Sequence, residues 1–152
     1  MIVYYLDSSA WLKKYFQEDG TAWMVNFFAR NEERELACAS LGVIEVTATL
    51  ARKHKSQSID SRSYQDALEE LESDWENFSQ IQLTEEIVAE AKTSAKKFAL
   101  RGADAVHFAS ALLLREDPLH EDDQIVFIVC DKELKAAAKL AGFTVVDPQE
   151  QE

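Results

Sequence analysis

The sequence predicts an α/β fold of three layers, with helices packed on both faces of a parallel sheet. Short apolar runs alternate with longer segments of helical period along the whole chain. Gly and Pro are scarce, four and two in 152 residues, so connections are short and most of the chain is regular. The run 125–130 is apolar throughout, as a strand covered on both faces must be. With 47% hydrophobic residues, 152 residues suffice for one cored domain and not for two ordinary ones. The expected domain spans 1–147, followed by a short acidic tail, 148–152.

Residues 1–6 read as a buried strand ended by Asp7, and 9–16 as a short helix with Gly20 in the turn that follows. A helix over 21–31 carries Trp23, Met24, Phe27 and Phe28 on one face. Residues 36–39 form a second strand, and 41–53 a helix with almost no polar face before Arg52. Asp60 caps the next helix, where Tyr64, Ala67, Leu68, Leu71, Trp75 and Phe78 make one stripe. A weak third strand is expected at 81–83. Thr84 caps a helix that Gly102 breaks, and 103–115 forms another. After a polar loop, 125–130 is a central strand, and Lys132–Leu140 a helix closed by Gly142. A last strand, 143–146, stops at Asp147 and Pro148. Crossovers in such a sheet are right-handed, and ligands gather at the carboxyl ends of strands where the strand order reverses.

Four acids interrupt this apolar pattern: Asp7, Glu45, Asp104 and Asp131. Asp7 and Asp131 are each the first acid past a buried strand, at the carboxyl edge of the sheet. Glu45 is surrounded by Val43, Ile44, Val46 and Leu50, a setting that costs several kcal/mol for an unpartnered charge. Asp104 opens a turn made otherwise of Ala103, Ala105, Val106 and Phe108. Each acid also has a purely structural role open to it. Asp7 and Asp131 suit helix caps, Asp104 suits the positive end of a helix dipole, and Glu45 suits a buried pair with Arg52 or Arg101. His107, three residues after Asp104, reads as a ligand, a base or a satisfied core residue. Taken together, four carboxylates suit a hard divalent cation such as Mg²⁺ or Mn²⁺, and Ser9 adds a hydroxyl beside Asp7. A phosphodiesterase that works through metal needs no histidine base, and no Ser-His-Asp or Cys-His order is present.

The net charge of −12, from 28 acids against 16 bases, repels a phosphate backbone, so any nucleic-acid role must be local. Lys13, Lys14, Arg52 and Arg101 are the bases near the acids that are able to steady flanking phosphates. Two cysteines, Cys38 and Cys130, match no zinc or disulfide spacing and read as buried thiols. No run approaches the ~20 apolar residues of a membrane span, and the first residues lack a basic lead and a long apolar region. The expected address is cytoplasmic.

These pieces resemble the PIN-domain nucleases, specifically the VapC-type toxins of toxin–antitoxin systems. The match runs through Tyr5-Leu6-Asp7-Ser8-Ser9-Ala10, Ile44-Glu45-Val46 with Leu50-Ala51-Arg52, the block Leu100-Arg101-Gly102-Ala103-Asp104-Ala105-Val106-His107-Phe108-Ala109, and Cys130-Asp131-Lys132-Glu133-Leu134. The resemblance implies a five-stranded parallel sheet in the order 3-2-1-4-5. It also implies Mg²⁺- or Mn²⁺-dependent endoribonuclease activity on an RNA substrate. Asp7, Glu45, Asp104 and Asp131 are carried over as the acidic metal site and Ser9 as its hydroxyl. Homodimerisation and inhibition by an antitoxin protein are implied as well. One position departs: the family often has Thr where this chain has Val129, so one hydroxyl near the ion is absent. In the implied strand order Cys38 and Cys130 flank strand 1, so their thiols are expected about 10 Å apart, too far to bridge.

Two rival readings bear on the same acids. A response-regulator-like switch needs paired acids after strand 1 and a Lys after the last strand, and here Asp7 has no acidic neighbour and Asp147-Pro148 follows the last strand. A catalytically silent module would use the acidic pocket only to dock a basic protein partner. Aromatic residues crowd the first two helices (Trp11, Tyr15, Phe16, Trp23, Phe27 and Phe28), and are expected mostly in the core, with some free for an interface.

Overall fold

A computed structural model describes residues 1–151 of the chain. β1 (Ile2–Leu6) takes the centre of the sheet because its apolar run is covered on both faces. β2 (Arg34–Ala39) and β3 (Ser79–Ile81) extend the sheet on one side, and β4 (Gln124–Ile128) and β5 (Thr144–Val146) on the other. The order is β3-β2-β1-β4-β5, and every pairing is parallel. The order therefore reverses between β1 and β4, whose register sets Leu6 opposite Ile128 so that both strands end level.

Alternation along the strands sorts side chains onto two cores. Val3, Tyr5 and Phe127 face α5 (Glu85–Phe98), α6 (Gly102–Glu116) and α7 (Lys132–Leu140). Tyr4, Leu6, Cys38 and Ile128 face the other layer: α1 (Ser8–Trp11), α2 (Thr21–Ala29), α3 (Ser40–Lys55) and α4 (Ser61–Trp75). That second core is aromatic, with Trp11 stacked on Phe78 at 4.6 Å between centroids and Trp23 on Phe27 at 5.3 Å. Trp11 and Phe27 are fully buried.

Helix ends follow local chemistry. Asp60 accepts from the Ser63 N–H, Thr84 from the Ile87 N–H and Asp131 from the Leu134 N–H. Gly142, at φ +83°, closes the turn after α7. α5 is ended by Ala99 in a left-handed conformation, φ +53°, and not by Gly102, which is the first residue of α6. The first helix is split: one α-turn, then a 3-10 turn at Leu12–Lys14. Phe78 lies beyond α4, buried where the chain enters β3, which pulls that strand two residues ahead of the expected 81–83 and leaves Leu83 exposed. Past β5 the chain docks rather than trailing. Pro148–Glu150 form a 3-10 turn, and buried Pro148 lies under Gly20, where a Cβ would come within 3.1 Å of it. Cys38 and Cys130 are both free thiols. Among the described residues no helix is long and apolar enough to cross a membrane.

Candidate functional site

The level ends of β1 and β4 make the floor of the site. Asp7, one residue past β1, donates its backbone N–H to Ile128 O at 3.0 Å, which fixes it between the two central strands. Its carboxylate caps α1, with Oδ1 accepting from the Ala10 N–H at 3.0 Å and Oδ2 from the Ser9 hydroxyl at 2.7 Å. Asp7 is 2% exposed. Burial pushes its pKa up to about 6. His107, Ser9 and the Ala10 N–H pull the other way, and the charge of Asp104 adds to the rise.

Asp104 lies in the first turn of α6, where the helix dipole favours a negative charge. Its pKa is raised, first by burial and then by Asp131. His107 and Arg101 offset part of this, and Glu45 adds to it. Asp104 thus shares its field with all three other acids. Asp131, two residues past Val129, caps α7, its Oδ1 accepting from the Leu134 N–H at 2.9 Å. So the capping roles open to Asp7 and Asp131 are both filled, and each of the two interacts with the charge of Asp104.

Glu45 comes from α3, on the opposite layer from α6. Beyond the carboxyl end of β2 the two layers meet, and Oε1 of Glu45 accepts from His107 Nε2 at 2.6 Å. Burial works to raise the Glu45 carboxyl, but the hydrogen bond and charge of His107, with help from the Ser8 hydroxyl, hold it below its usual range. The partner expected from sequence, Arg52 or Arg101, is not the one found. Arg52 instead donates to Thr49 Oγ1 at 3.0 Å, and Arg101 precedes α6 with its side chain exposed. Both arginines are close to Glu45 or Asp104 in the chain, whereas His107 is 62 residues from Glu45, which no local pattern reports.

His107 is 1% exposed. Its Nδ1 lies 2.8 Å from Tyr5 Oη, which accepts from the Ala39 N–H at 3.1 Å. Burial opposes a charge on the ring, but Tyr5, Cys38 and Glu45 around it outweigh burial and raise the imidazole pKa well above its ordinary value. In either protonation state Nε2 can carry the hydrogen directed at Glu45.

Among the described residues, none of Asp7, Asp104 and Asp131 forms an ion pair with Lys, Arg or His. Also among them, no three His, Cys, Asp or Glu side chains stand together closely enough to hold a metal ion between them. The donors are all carboxylate oxygens; His107 is bonded to Glu45, and His107 and Arg101 offset part of the negative field without forming an ion pair with Asp7, Asp104 or Asp131 among the described residues. That donor set fits a hard cation that keeps part of its water shell, the habit of Mg²⁺, and does not fit a soft or fully enclosed metal.

A cleft of about 360 Å³ runs between α1 and α3, lined by Ser8, Ser9, Glu45, Thr49 and Arg52 among others, and of the four acids it contains Glu45 alone. A hollow of about 440 Å³ between α5 and α6, lined by Thr84, Ile87, Leu113 and Asp117, contains none of the four acids. Of the four nearby bases, Lys13 is buried against Glu18 and Lys14 is held by Glu70 and Asp74. Arg52, exposed in the cleft, is the base placed to meet a substrate there.

The PIN domain family model matches residues 4–140. The chain belongs to the PIN-domain family. Its likeness is to the VapC type: the chain is 31% identical over 150 residues to Ribonuclease VapC45 and to Ribonuclease VapC49, both of Mycobacterium tuberculosis, covering 98% of each chain. A toxin–antitoxin complex from Klebsiella pneumoniae contains a chain of the same fold, with a TM-score of 0.62 at 16% identity, covering 99% of this chain and 100% of that one. The strand order found here is the one the PIN resemblance implies. Sequence reasoning placed Asp7, Glu45, Asp104, Asp131 and Ser9 in one region of this PIN fold, and it kept His107 and Ser8 out of the site. The signal for His107 was its place one turn after Asp104. Val129, at the position where PIN proteins often carry Thr, is fully buried and its N–H extends the β4–β5 pairing to Val146 O at 3.0 Å.

Proposed function

We propose that the protein is a divalent-metal-dependent endoribonuclease, the toxin of a toxin–antitoxin pair. The observation that carries the proposal is Asp7: a carboxylate 2% exposed, in no ion pair among the described residues, in the field of Asp104, which in turn feels Asp131 and Glu45. A protein bears that electrostatic cost where a cation is to be bound. Asp7, Glu45, Asp104 and Asp131 would hold Mg²⁺ or Mn²⁺ directly or through water. A bound ion would supply a water of lowered pKa and positive charge for the phosphate oxygen and the departing alkoxide.

The chain's own groups supply position. The Ser9 hydroxyl and the Ala10 N–H orient the Asp7 carboxylate. Arg52 in the adjoining cleft steadies a flanking phosphate of the RNA. Hydrolysis breaks the bond from phosphorus to the 3′-oxygen and joins the water oxygen to phosphorus, leaving a 3′-hydroxyl and a 5′-phosphate. Support for RNA as substrate comes from the relatives named as ribonucleases. Support for an antitoxin comes from the Klebsiella complex and from the acidic pocket, which suits a basic side chain. Ile44, 63% exposed beside that pocket, offers an apolar rest for the partner segment. A homodimer in the cytoplasm completes the proposal.

The test is cleavage of RNA with Mg²⁺ or Mn²⁺, with and without EDTA. Activity is expected only with metal and is lost in Asp7→Asn and Asp104→Asn. Equal cleavage by wild type and Asp7→Asn contradicts the proposal.

A further inference from the structure

A buried line of hydrogen bonds ties together the elements that carry three of the four acids. It starts at the Ala39 N–H, at the end of β2, passes through Tyr5 Oη and both ring nitrogens of His107, and ends at Glu45 Oε1. Tyr5 is on β1, two residues before Asp7. His107 is on α6, one turn after Asp104. Glu45 is on α3, which starts immediately after Ala39. Three separate backbones are thus locked to one another within a few residues of their acids.

We propose that His107 is a positioning residue of the acidic site: its Nε2 fixes the carboxylate of Glu45 for the cation, and Tyr5 fixes His107. A glutamate head has several rotatable bonds and loses rotamer freedom when it is ordered. On its own helix Ile44 and Ala48 offer the Glu45 head no hydrogen bond, and the Ser8 hydroxyl of α1 assists His107 in holding it. The His107 bond uses one carboxylate oxygen, Oε1, and orders the head before any ligand arrives. The ring itself has little freedom to answer otherwise, being 1% exposed and held at both nitrogens. Room for it is kept by Gly42. A Cβ there would lie 3.2 Å from His107 Cε1 and collide with Cys38 Sγ. His107 is no ligand in this scheme, because the nitrogen that faces the site is already spent on Glu45.

This inference rests on the nuclease proposal, and the two fail in different experiments. Mn²⁺ binding is measured by calorimetry, and RNA cleavage as kcat and KM, on wild type, His107→Leu, His107→Gln, Tyr5→Phe, Glu45→Gln and the double variant Glu45→Gln/His107→Leu. If wild type neither binds Mn²⁺ nor cleaves, the nuclease proposal falls and this one falls with it. With wild type active, His107→Leu is expected to bind Mn²⁺ about 10–100-fold more weakly, as loss of an outer partner of a ligand does. His107→Gln, which keeps a donor, recovers part of that loss. Tyr5→Phe weakens binding in the same direction by a smaller factor. On the Glu45→Gln background His107→Leu has no further effect, since it acts through Glu45. KM for RNA stays near wild type while kcat falls. A folded His107→Leu that binds Mn²⁺ like wild type overturns the inference. So does an equal loss on both backgrounds, which marks a merely structural role. If His107→Leu does not fold, Tyr5→Phe decides: wild-type Mn²⁺ affinity in that variant overturns the inference, and a several-fold loss upholds it.

Discussion

Asp7, past β1, and Asp147, past β5, are both buried carboxylates that cap the segment after their strand, yet their surroundings treat them in opposite ways. They are 2% and 4% exposed. Asp147 accepts from the Gln149 N–H at 2.8 Å and from Lys135 Nζ at 2.8 Å, and Lys135 also meets Glu150 at 2.7 Å. Burial raises the Asp147 carboxyl, but Lys135 and the Gln149 N–H outweigh it and the pKa ends below its ordinary value. Asp7 has comparable backbone and hydroxyl donors and no lysine, and its pKa ends near 6. The difference separates an acid kept for structure, which comes with its own cation, from an acid that on the proposed function takes its cation from solution.

The largest expected effect is at Asp7. Asp7→Asn should lower RNA cleavage by on the order of 100-fold or more, since it alters a proposed ligand itself and not merely that ligand's outer partner. The same variant should be more stable than wild type by up to about 3 kcal/mol at pH 8, because a buried charge without a counter-ion is removed. Urea unfolding measures this, and a destabilised Asp7→Asn would break the comparison. Asp147→Asn should do the reverse. It should lose about 1–3 kcal/mol, the worth of a hydrogen bond to a charged group, and cleave RNA like wild type per folded molecule.

The pH dependence sharpens the contrast. In the folded chain Asp7 keeps its proton up to about pH 6, against an ordinary value of 3.8. It therefore takes up a proton on folding in that window, and its contribution to stability falls as pH rises from about 4 to about 6. Asp147, with a lowered pKa, contributes stability above the ordinary carboxylate range and loses it as pH falls through its folded value. The difference in unfolding free energy between wild type and each of Asp7→Asn and Asp147→Asn, followed from pH 3 to 8, should show these two slopes with opposite sign. The smallest effect is at Arg52. Arg52→Ala should weaken RNA binding a few-fold and reduce the salt dependence by about one counter-ion, with kcat unchanged.

Much of this was legible in the sequence, for reasons that differ by residue. The helix Lys132–Leu140 is found with the bounds expected, because Asp131 and Gly142 mark its ends chemically. β1 and β4 were readable as unbroken apolar runs, since both of their faces are covered. β3 was misplaced because Leu83 looks like strand and is exposed, while the residue that anchors the entry is Phe78. The four acids could be picked out because each interrupts an apolar stretch. What could not be read was partnership. Asp7 and Asp147 look alike as acids after apolar runs, and it takes the placement of Lys135 on α7, beside one and not the other, to tell which is paired. Glu45 and His107 likewise meet only once β2 has ended and the layers close over it.

The most direct test is a calorimetric titration with Mn²⁺ at pH 7 of wild type, Asp7→Asn and Asp147→Asn. Wild type and Asp147→Asn are expected to bind alike, and Asp7→Asn at least about tenfold more weakly. Absence of binding to wild type at millimolar Mn²⁺, or equal affinity in all three, would contradict the claim that Asp7 is held charged for a cation.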